Sequence, residues 1–202
     1  MAVKDHKLDE RIIQSATAEF MEYGFQGASL RRIAQKADLS TGALYTRYKN
    51  KDALFCSIIE NVCSQMGEAF EPMRQIYMEA QRSGSGEEIL NAIQQEKQIY
   101  LNLIFQYYDE CVLLFCRSEG SSVQSKWEQL MEYKTQETVA FLNEITKENV
   151  DFDVIEMLLS EQFYCYRRIL EKGMSKEKAI SCLQQMEEFH EAGWREMFHR
   201  IL

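Results

Sequence analysis

The sequence predicts an all-α protein. Apolar residues recur at helical spacing through most of the 202 residues, strand patterns are weak, and Pro72 is the single proline. The length suits a small N-terminal domain followed by a larger helical one. We place the boundary where a long helix begins, which gives domains at residues 1–50 and 51–202.

The first predicted helix lies around residues 11–20, where apolar or small residues at 12, 13, 16 and 20 share one face. Gly24 then acts as a helix stop. Residues 29–48 form two further short helices joined by a tight turn at Asp38, with Ser29 and Ser40 as their N-caps.

A helix-turn-helix explains the pattern of residues 29–48. Ala34 allows a close helix crossing, while Leu39 and Leu44 hold the second helix against the first. The residues predicted to face outward are Thr41, Gly42, Ala43, Tyr45 and Thr46. Such side chains suit a DNA major groove, although similar patterns also occur in helical proteins with no DNA role.

The rest of the chain is predicted to be a series of long helices. Asn50 caps a helix that runs to about Phe70, where Pro72 kinks it or starts a new segment. Further helices are expected at about 87–108, 109–117, 123–146 and 153–172, and a last one follows Ser175. Gly173 is the expected C-cap of the penultimate helix.

The stretch from Arg11 to Leu54 resembles the DNA-binding domain of the TetR/AcrR family of bacterial transcriptional regulators. The resemblance covers about a quarter of the chain and agrees at many positions without a gap. The matching residues are Ala16, Phe20, Gly24, Phe25, Ser29, Ile33, Ala34, Ala37, Leu39, Ser40, Gly42, Leu44, Tyr45, Tyr48, Lys51 and Leu54.

Two positions depart from the family pattern. Asp38 stands where the family usually has glycine, at a turn position that tends to need a positive φ, and aspartate is among the few other residues that tolerate it. Tyr48 stands where phenylalanine is favoured, and its hydroxyl adds a group that can reach a phosphate.

The resemblance implies a dimeric repressor that binds a palindromic operator in double-stranded DNA. Thr41, Ala43 and Thr46 are expected at base edges, and Tyr45, Tyr48 and Lys51 at phosphates, with Arg31 and Arg32 as further candidates. The complete set of predicted DNA-binding residues is Ser29, Arg31, Arg32, Ser40, Thr41, Gly42, Ala43, Tyr45, Thr46, Tyr48 and Lys51.

The family layout also implies an effector pocket and a dimer interface in the C-terminal domain. A small, largely apolar effector is expected to tilt the long helix after Asn50 and to release the operator. The pocket candidates are Tyr100, Phe105, Tyr108, Phe115, Trp127, Phe163 and Tyr166. The dimer candidates are Leu159, Phe163, Met186, Phe189, Gly193, Trp194 and Met197, unless the last two helices simply close a monomeric core.

Charge is distributed unevenly along the chain. The net charge is −9, yet residues 1–54 carry nine basic and seven acidic residues, whereas the remainder carries 14 basic and 25 acidic ones. The positive surface is therefore expected in the N-terminal domain, as DNA binding requires.

Other functional classes find little support in the sequence. The three histidines are scattered, and phosphate-loop, dinucleotide and nucleophile-elbow motifs are absent, so we expect neither an enzyme nor a metal or other cofactor. The polar N-terminus and six cysteines without a Cys-x-x-Cys pair favour a cytoplasmic protein with no membrane association. A repressor that senses a protein partner or thiol oxidation, and a helical interaction protein without DNA binding, remain alternatives.

Overall fold

The computed structural model describes residues 6–83, 86–146 and 149–201, and the regular structure of these residues is entirely α-helical. The all-α prediction is therefore confirmed. The helices are α1 His6–Gly27, α2 Leu30–Lys36, α3 Thr41–Tyr45, α4 Lys51–Ser83, α5 Gly86–Gln106, α6 Tyr108–Cys116, α7 Ser122–Thr146, α8 Phe152–Glu171 and α9 Lys176–Ile201.

The chain forms two compact units. The head unit comprises Met1–Ser64 and Tyr107–Lys126, and the body unit comprises Gln65–Gln106 and Trp127–Leu202. The predicted boundary at residue 50 marks the start of α4 and not the edge of the head unit, because α6 and the beginnings of α4 and α7 also pack there. A sequence pattern based on local periodicity cannot reveal such a return of the chain.

The core of the head unit is built on aromatic side chains from α1 and α4. Phe20 and Phe55 are fully buried and meet edge to face with ring centroids 4.9 Å apart, and Phe25 lies 5.3 Å from Phe55. Ile33, Ala34 and Leu44 are buried as well. The expected packing of α3 on α2 through small and apolar residues is present.

Among the described residues of the head unit, Gly24, Asp38 and Gly120 have a positive φ. Gly24, at φ 67° and ψ 174°, interrupts the helical geometry of α1 where a helix stop was predicted. After this break, the Phe25 N–H donates to the Arg117 carbonyl at 2.8 Å. Asp38 has φ 57°, as its place in the turn predicted.

The Asp38 turn closes α2 with a Schellman motif. The Leu39 N–H donates to the Ala34 carbonyl at 2.9 Å, and the Asp38 N–H donates to the Gln35 carbonyl at 3.2 Å. The Asp38 carboxylate is 97% exposed and lies 3.6 Å from the Arg11 guanidinium. The turn therefore holds aspartate in the left-handed region through backbone bonds, with little help from this exposed ion pair.

Most predicted helix ends agree with the structure, including Ser29 as the N-cap residue of α2, but the predicted new segment at Pro72 does not. Ser29 has the extended N-cap backbone geometry without a side-chain cap bond, and its backbone N–H donates to Glu19. Helix α4 continues through Pro72 to Ser83, so the expected new segment at this proline is wrong. Pro72 is exposed, which lets water satisfy the carbonyl that loses its helical partner.

In the body unit, α7 and α8 pack through Leu142 and Ile155, which are 4% and 1% exposed. Asp151 caps α8, and a second Schellman motif with Gly173 at φ 57° ends it, as predicted for this glycine. Ser175 then caps α9 by accepting from the Lys178 N–H. Within the described ranges, every helix is too short or too polar to cross a membrane.

Substitutions at Asp38 test the cost of its backbone conformation. We expect Asp38→Ala to lower the free energy of unfolding by about 1 kcal/mol, because alanine is disfavoured at positive φ. Asp38→Gly should stay within about 0.5 kcal/mol of the unsubstituted protein, because relief of strain offsets greater freedom of the unfolded chain. Urea denaturation measures both, and equal stability of the two variants would contradict this account.

Candidate functional site

Helix α3 is positioned by one buried side chain and by polar bonds at its ends. Leu44 is 1% exposed. The Ser40 hydroxyl accepts from the Ala43 N–H at 3.1 Å and thereby caps the helix, as predicted. At the other end, the Thr46 hydroxyl donates to the Ala43 carbonyl at 2.7 Å. These contacts fix the position of α3 and leave its other side chains at or near the surface.

The residues around α3 that sequence reasoning placed on the DNA side are at the surface to different extents. Gly42, Tyr45 and Thr46 are exposed, whereas Thr41 and Ala43 are half-buried. Tyr45 is 53% exposed, which is unusual for a large aromatic side chain on a short helix. Tyr48 is half-buried just beyond the helix. The structure thus gathers these predicted contacts on one small surface.

The two predicted arginine contacts differ in their surroundings. Arg32 donates from Nε to Glu19 Oε1 at 2.5 Å and from a terminal nitrogen to the Gly27 carbonyl at 2.8 Å. Its guanidinium also lies 4.4 Å from the centroid of the Tyr23 ring. These internal contacts give Arg32 a structural role, while the neighbouring Arg31 is exposed.

Glu19 organises the junction of α1 and α2. The side chain is fully buried, and its carboxylate accepts from the Ser29 N–H at 3.1 Å, from Arg32, and from Lys36 Nζ at 3.2 Å. Burial raises the pKa of Glu19, but the bonds from Ser29, Arg32 and Lys36 outweigh that effect and leave the pKa below its ordinary value. The carboxylate therefore stays ionised and holds three parts of the head unit together.

Sequence reasoning did not single out Glu19. The signal was its spacing, because residue 19 follows Ala16 by three positions and so shares the inner face of α1 with Phe20. A carboxylate on an otherwise apolar face indicates a buried ion pair.

Lys51, a predicted phosphate contact, has partners within the head unit. Its ammonium donates to the carbonyls of Gln26 at 3.0 Å and Ala28 at 3.1 Å, and it lies 4.7 Å from the Phe25 ring centroid. Burial lowers the pKa of Lys51. Lys51 thus satisfies one carbonyl in the last turn of α1 and one just after it, which gives the residue a structural role in addition to its predicted phosphate contact.

Some of the other basic side chains of the head unit form ion pairs with carboxylates. Arg47 forms an ion pair with Asp9 at 2.8 Å, and Lys36 is held by Glu19. Arg31 and Lys49 are exposed on either side of the α3 sequence. Lys49 was not among the predicted contacts, although its place directly after Tyr48 was a usable signal.

Four of the seven predicted pocket residues meet in the body unit. Trp127 lies edge to face on Phe163 at 4.8 Å, and Phe163 contacts Tyr100 at 6.2 Å and Tyr166 at 6.1 Å between centroids. Phe105 belongs to the same unit, whereas Tyr108 and Phe115 lie on α6 in the head unit.

Two members of the aromatic cluster, Tyr100 and Phe163, lie beside a largely buried ion pair that sequence reasoning did not identify. Lys134 Nζ lies 2.5 Å from Glu96 Oε1, and the two side chains are 14% and 12% exposed. Burial lowers the pKa of Lys134, but Glu96 and Tyr100 outweigh this effect and raise it above its ordinary value. Lys134 is thus a charged group inside the cluster.

The predicted dimer residues also separate into two groups. Leu159 packs with the Leu142 and Ile155 core, Phe163 belongs to the aromatic cluster, and Met186 contacts the Cys165 thiol at 3.8 Å. Phe189 is 77% exposed, and Gly193 is exposed too. Trp194 and Met197 lie outside the residues whose side chains the structure describes.

Three cysteines, Cys63, Cys111 and Cys165, have thiols with a raised pKa. Burial, followed by the charge of Glu110, raises the pKa of Cys111 to about 12. Burial also raises the pKa of Cys63 and Cys165. A raised pKa leaves less of the reactive thiolate at neutral pH, so these three cysteines are poor candidates for a redox sensor.

Comparison with known proteins identifies the helix-turn-helix region. Residues 12–58 match the family model of the bacterial regulatory proteins of the tetR family. An HTH-type transcriptional repressor of Streptomyces coelicolor is 39% identical over 61 residues, which are 30% of this chain and 32% of that protein. An uncharacterized HTH-type regulator of Bacillus subtilis is 32% identical over 65 residues, 30% of this chain and 34% of its own length. The matches thus span about a third of these relatives.

Solved structures extend the likeness to most of the chain. A TetR-like transcriptional regulator from Rhodococcus sp. RHA1 covers 92% of this chain and 96% of its own, with a TM-score of 0.63 and 20% identity. The fatty acid degradation regulator FadR from Bacillus halodurans covers the same shares at a TM-score of 0.57 and 15% identity. These likenesses show a TetR-like fold.

The buried carboxylate of Glu19 makes the stability of the head unit depend on pH. A depressed pKa in the folded state adds stability above the ordinary carboxyl pKa of 4.5, and this contribution is lost as the pH falls through the folded-state value. We expect Glu19→Gln to lower the free energy of unfolding by about 1–3 kcal/mol at pH 7 and the difference to shrink below pH 4.5. Urea denaturation at several pH values from 7 to 3 measures this difference in the free energy of unfolding.

Glu22→Gln is the matched control. Glu22 is 58% exposed, and its ion pair with Lys36 is long, at 3.9 Å. It should leave both the stability and its pH dependence unchanged. An identical pH profile for Glu19→Gln and the unsubstituted protein would show that Glu19 does not act as described.

Proposed function

We propose that this chain, a member of the tetR family of bacterial regulatory proteins, represses transcription by binding a palindromic DNA operator as a homodimer and releasing it when a small effector binds. The observation that carries the proposal is the surface of α3. One residue, Leu44, anchors the helix, while Gly42, Tyr45 and Thr46 are exposed beside it. A short helix with this outward set fits the major groove.

The contacts of the proposed interface divide into base-reading and phosphate-binding residues. Thr41, Ala43 and Thr46 present small groups for base edges, and threonine methyls can pack on the methyl group of thymine. Tyr45 and Arg31 serve phosphates, and exposed Lys49 joins them. Arg32 and Lys51 support this surface through their bonds to Glu19 and to the carbonyls at the end of α1.

The charge of the N-terminal residues favours DNA binding. Basic residues outnumber acidic ones in residues 1–54, whereas the remainder of the chain has a large acidic excess. The head unit as a whole is not basic, because its residues 55–64 and 107–126 add two basic and four acidic residues to the nine and seven of residues 1–54, which gives eleven of each. Phosphates are attracted by the basic residues of the N-terminal segment, and the acidic excess elsewhere discourages nonspecific association with nucleic acid.

A homodimer is proposed because a palindromic operator has two half-sites, about 34 Å apart. The body unit supplies an apolar surface for it on α8, where Val154, Met157 and Tyr164 are spaced for one helical face and are 47%, 67% and 59% exposed. Phe189 of α9 is 77% exposed. Exposed apolar side chains in such number mark an interaction surface.

The effector is proposed to bind in the body unit, at the cluster of Tyr100, Trp127, Phe163 and Tyr166. Helices α4 and α7 each begin in the head unit and continue into the body unit. Within the head unit their starts are joined, because Asp52 accepts from the backbone N–H and the hydroxyl of Ser122 at 2.8 and 2.7 Å. We propose that effector binding acts on DNA affinity through these two helices.

Tyr45→Ala tests the DNA surface. The operator is first obtained by selecting genomic fragments with the purified full-length chain, beginning with palindromes upstream of its own gene. We expect Tyr45→Ala to weaken operator binding about tenfold in gel-shift titration. Arg31→Ala should lower the slope of log affinity against log salt by about one.

Tyr133→Ala is the control, since Tyr133 is a 47% exposed tyrosine in the body unit. It should leave operator affinity unchanged. Lys51 is avoided because its replacement would remove bonds within the head unit. Unchanged affinity for both Tyr45→Ala and Arg31→Ala, or the selection of no specific fragment, would refute the proposed DNA surface.

Met157→Glu tests the dimer surface. A carboxylate on the apolar face of α8 should convert the dimer to monomer in sedimentation velocity and reduce affinity for the full palindrome at least about tenfold. Leu130→Glu is the control, because Leu130 is 44% exposed on α7. A Met157→Glu protein that remains dimeric would move the interface away from this face.

A further inference from the structure

The Lys134 ammonium in the body unit is surrounded by groups that recognise organic cations. Its Nζ lies 2.5 Å from Glu96 Oε1, 5.3 Å from the Tyr100 ring centroid and 5.6 Å from the Phe163 ring centroid. Lys134 also forms a side-chain hydrogen bond with Tyr100. Aromatic rings within about 6 Å attract an ammonium group, and a neighbouring carboxylate balances its charge. We name the set of Glu96, Tyr100 and Phe163 the ammonium box.

We propose that the ammonium box is the recognition site for the effector, that the effector is an organic ammonium compound with an apolar body, and that Lys134 fills the box until such a compound displaces it. This inference rests on the proposed function, in which the effector binds in the body unit. It adds the charge of the effector and the chemical group that recognises it.

The charges in the box favour a cation over an anion. When a ligand ammonium replaces that of Lys134, Glu96 keeps a positive partner and the buried charges remain balanced. An anion bound to Lys134 would have to displace Glu96 and would then face the aromatic rings, whose faces carry negative charge density. The same geometry therefore accepts one sign of charge and opposes the other.

The surroundings of the box suit the apolar body of such a ligand. Trp127 lies 4.8 Å from Phe163 between ring centroids, and Tyr166 is 2% exposed at 6.1 Å from the same ring. The Tyr166 hydroxyl accepts from the Gln162 amide at 3.4 Å, which leaves the ring itself among the aromatic neighbours. An aliphatic or aromatic group attached to the ammonium would contact these rings.

Lys134 is suited to leave the box. Its charged group sits on a flexible four-carbon stem, and its side chain retains 14% exposure, so one edge of the pair reaches water. Departure of the side chain also vacates the space that a ligand ammonium needs. An internal occupant reduces the apparent affinity for the ligand to the intrinsic affinity multiplied by the fraction of time that the site is vacant.

The test uses the full-length protein without DNA and three probes of similar shape. Benzyltrimethylammonium is the cation, neopentylbenzene is its neutral isostere, and phenylmethanesulfonate is the anion. Binding is followed by calorimetry, by tryptophan fluorescence and by the shift in Tm. We expect the cation to bind at least about tenfold more tightly than the other two.

Two substitutions separate the roles of the ion pair. Lys134→Met removes the internal ammonium and keeps a stem of similar size, so benzyltrimethylammonium should bind about tenfold more tightly. Glu96→Gln removes the carboxylate and should weaken its binding at least about tenfold. Glu132→Gln, on the exposed face of α7, is the control for a change of charge and should have no effect.

Equal binding of the three probes, preference for the anion, or no gain from Lys134→Met would overturn the inference. If either single variant fails to fold, the Lys134→Met/Glu96→Gln pair removes both charges, and it should lose the preference for the cation over its isostere. The comparison of probes on the unsubstituted protein is decisive even without variants.

A separate gel-shift titration distinguishes this inference from the proposed function. Operator binding without cation binding overturns the inference alone. Cation binding by a protein that binds no operator overturns the proposed function and leaves the box established. Cation binding that does not release the operator shows that the box is not the effector site, which also overturns the inference.

Discussion

The buried carboxylate of Glu19 is the interaction on which the arrangement of the head unit depends. It joins the inner face of α1 to the start of α2 through the Ser29 N–H, and to the body of α2 through Arg32 and Lys36. An ionised carboxylate without water must have all of its partners in place, because each one lost leaves charge unsatisfied. Glu19 thus fixes α2, and the buried contacts of Ile33, Ala34 and Leu44 carry that position to α3.

Several basic side chains of the head unit bind groups of the protein itself and are therefore less available to DNA. Arg32, Lys36 and Lys51 hold a carboxylate or backbone carbonyls, and Arg47 pairs with Asp9. The surface around α3 is consequently less basic than the sequence count indicates. It relies more on shape and on the exposed Tyr45, with Arg31 and Lys49 as the exposed cations beside it.

Local rules predicted much of the fold and less of the candidate sites. Helix ends, the Ser40 cap and the positive φ of Asp38 depend on residues within one turn of one another, so periodicity and cap chemistry reveal them. The carbonyls bound by Lys51 lie 25 and 23 residues away, and Glu96 lies 38 residues from Lys134, so no short sequence pattern indicates these contacts. The continuation of α4 through Pro72 depends on solvent exposure, which is likewise absent from a linear pattern.

The two buried ion pairs use the same physics with different consequences. Glu19 has several partners, including a backbone N–H that cannot leave, so its network specifies one structure. Glu96 is paired with the side chain of Lys134, whose flexible stem and partial exposure permit exchange. A neutral compound that displaced Lys134 would leave the Glu96 carboxylate buried without that ammonium, whereas an ammonium compound would replace it. The Lys134 ammonium therefore makes the site selective. A ligand binds well only if it replaces the interaction with Glu96 that is lost when Lys134 leaves.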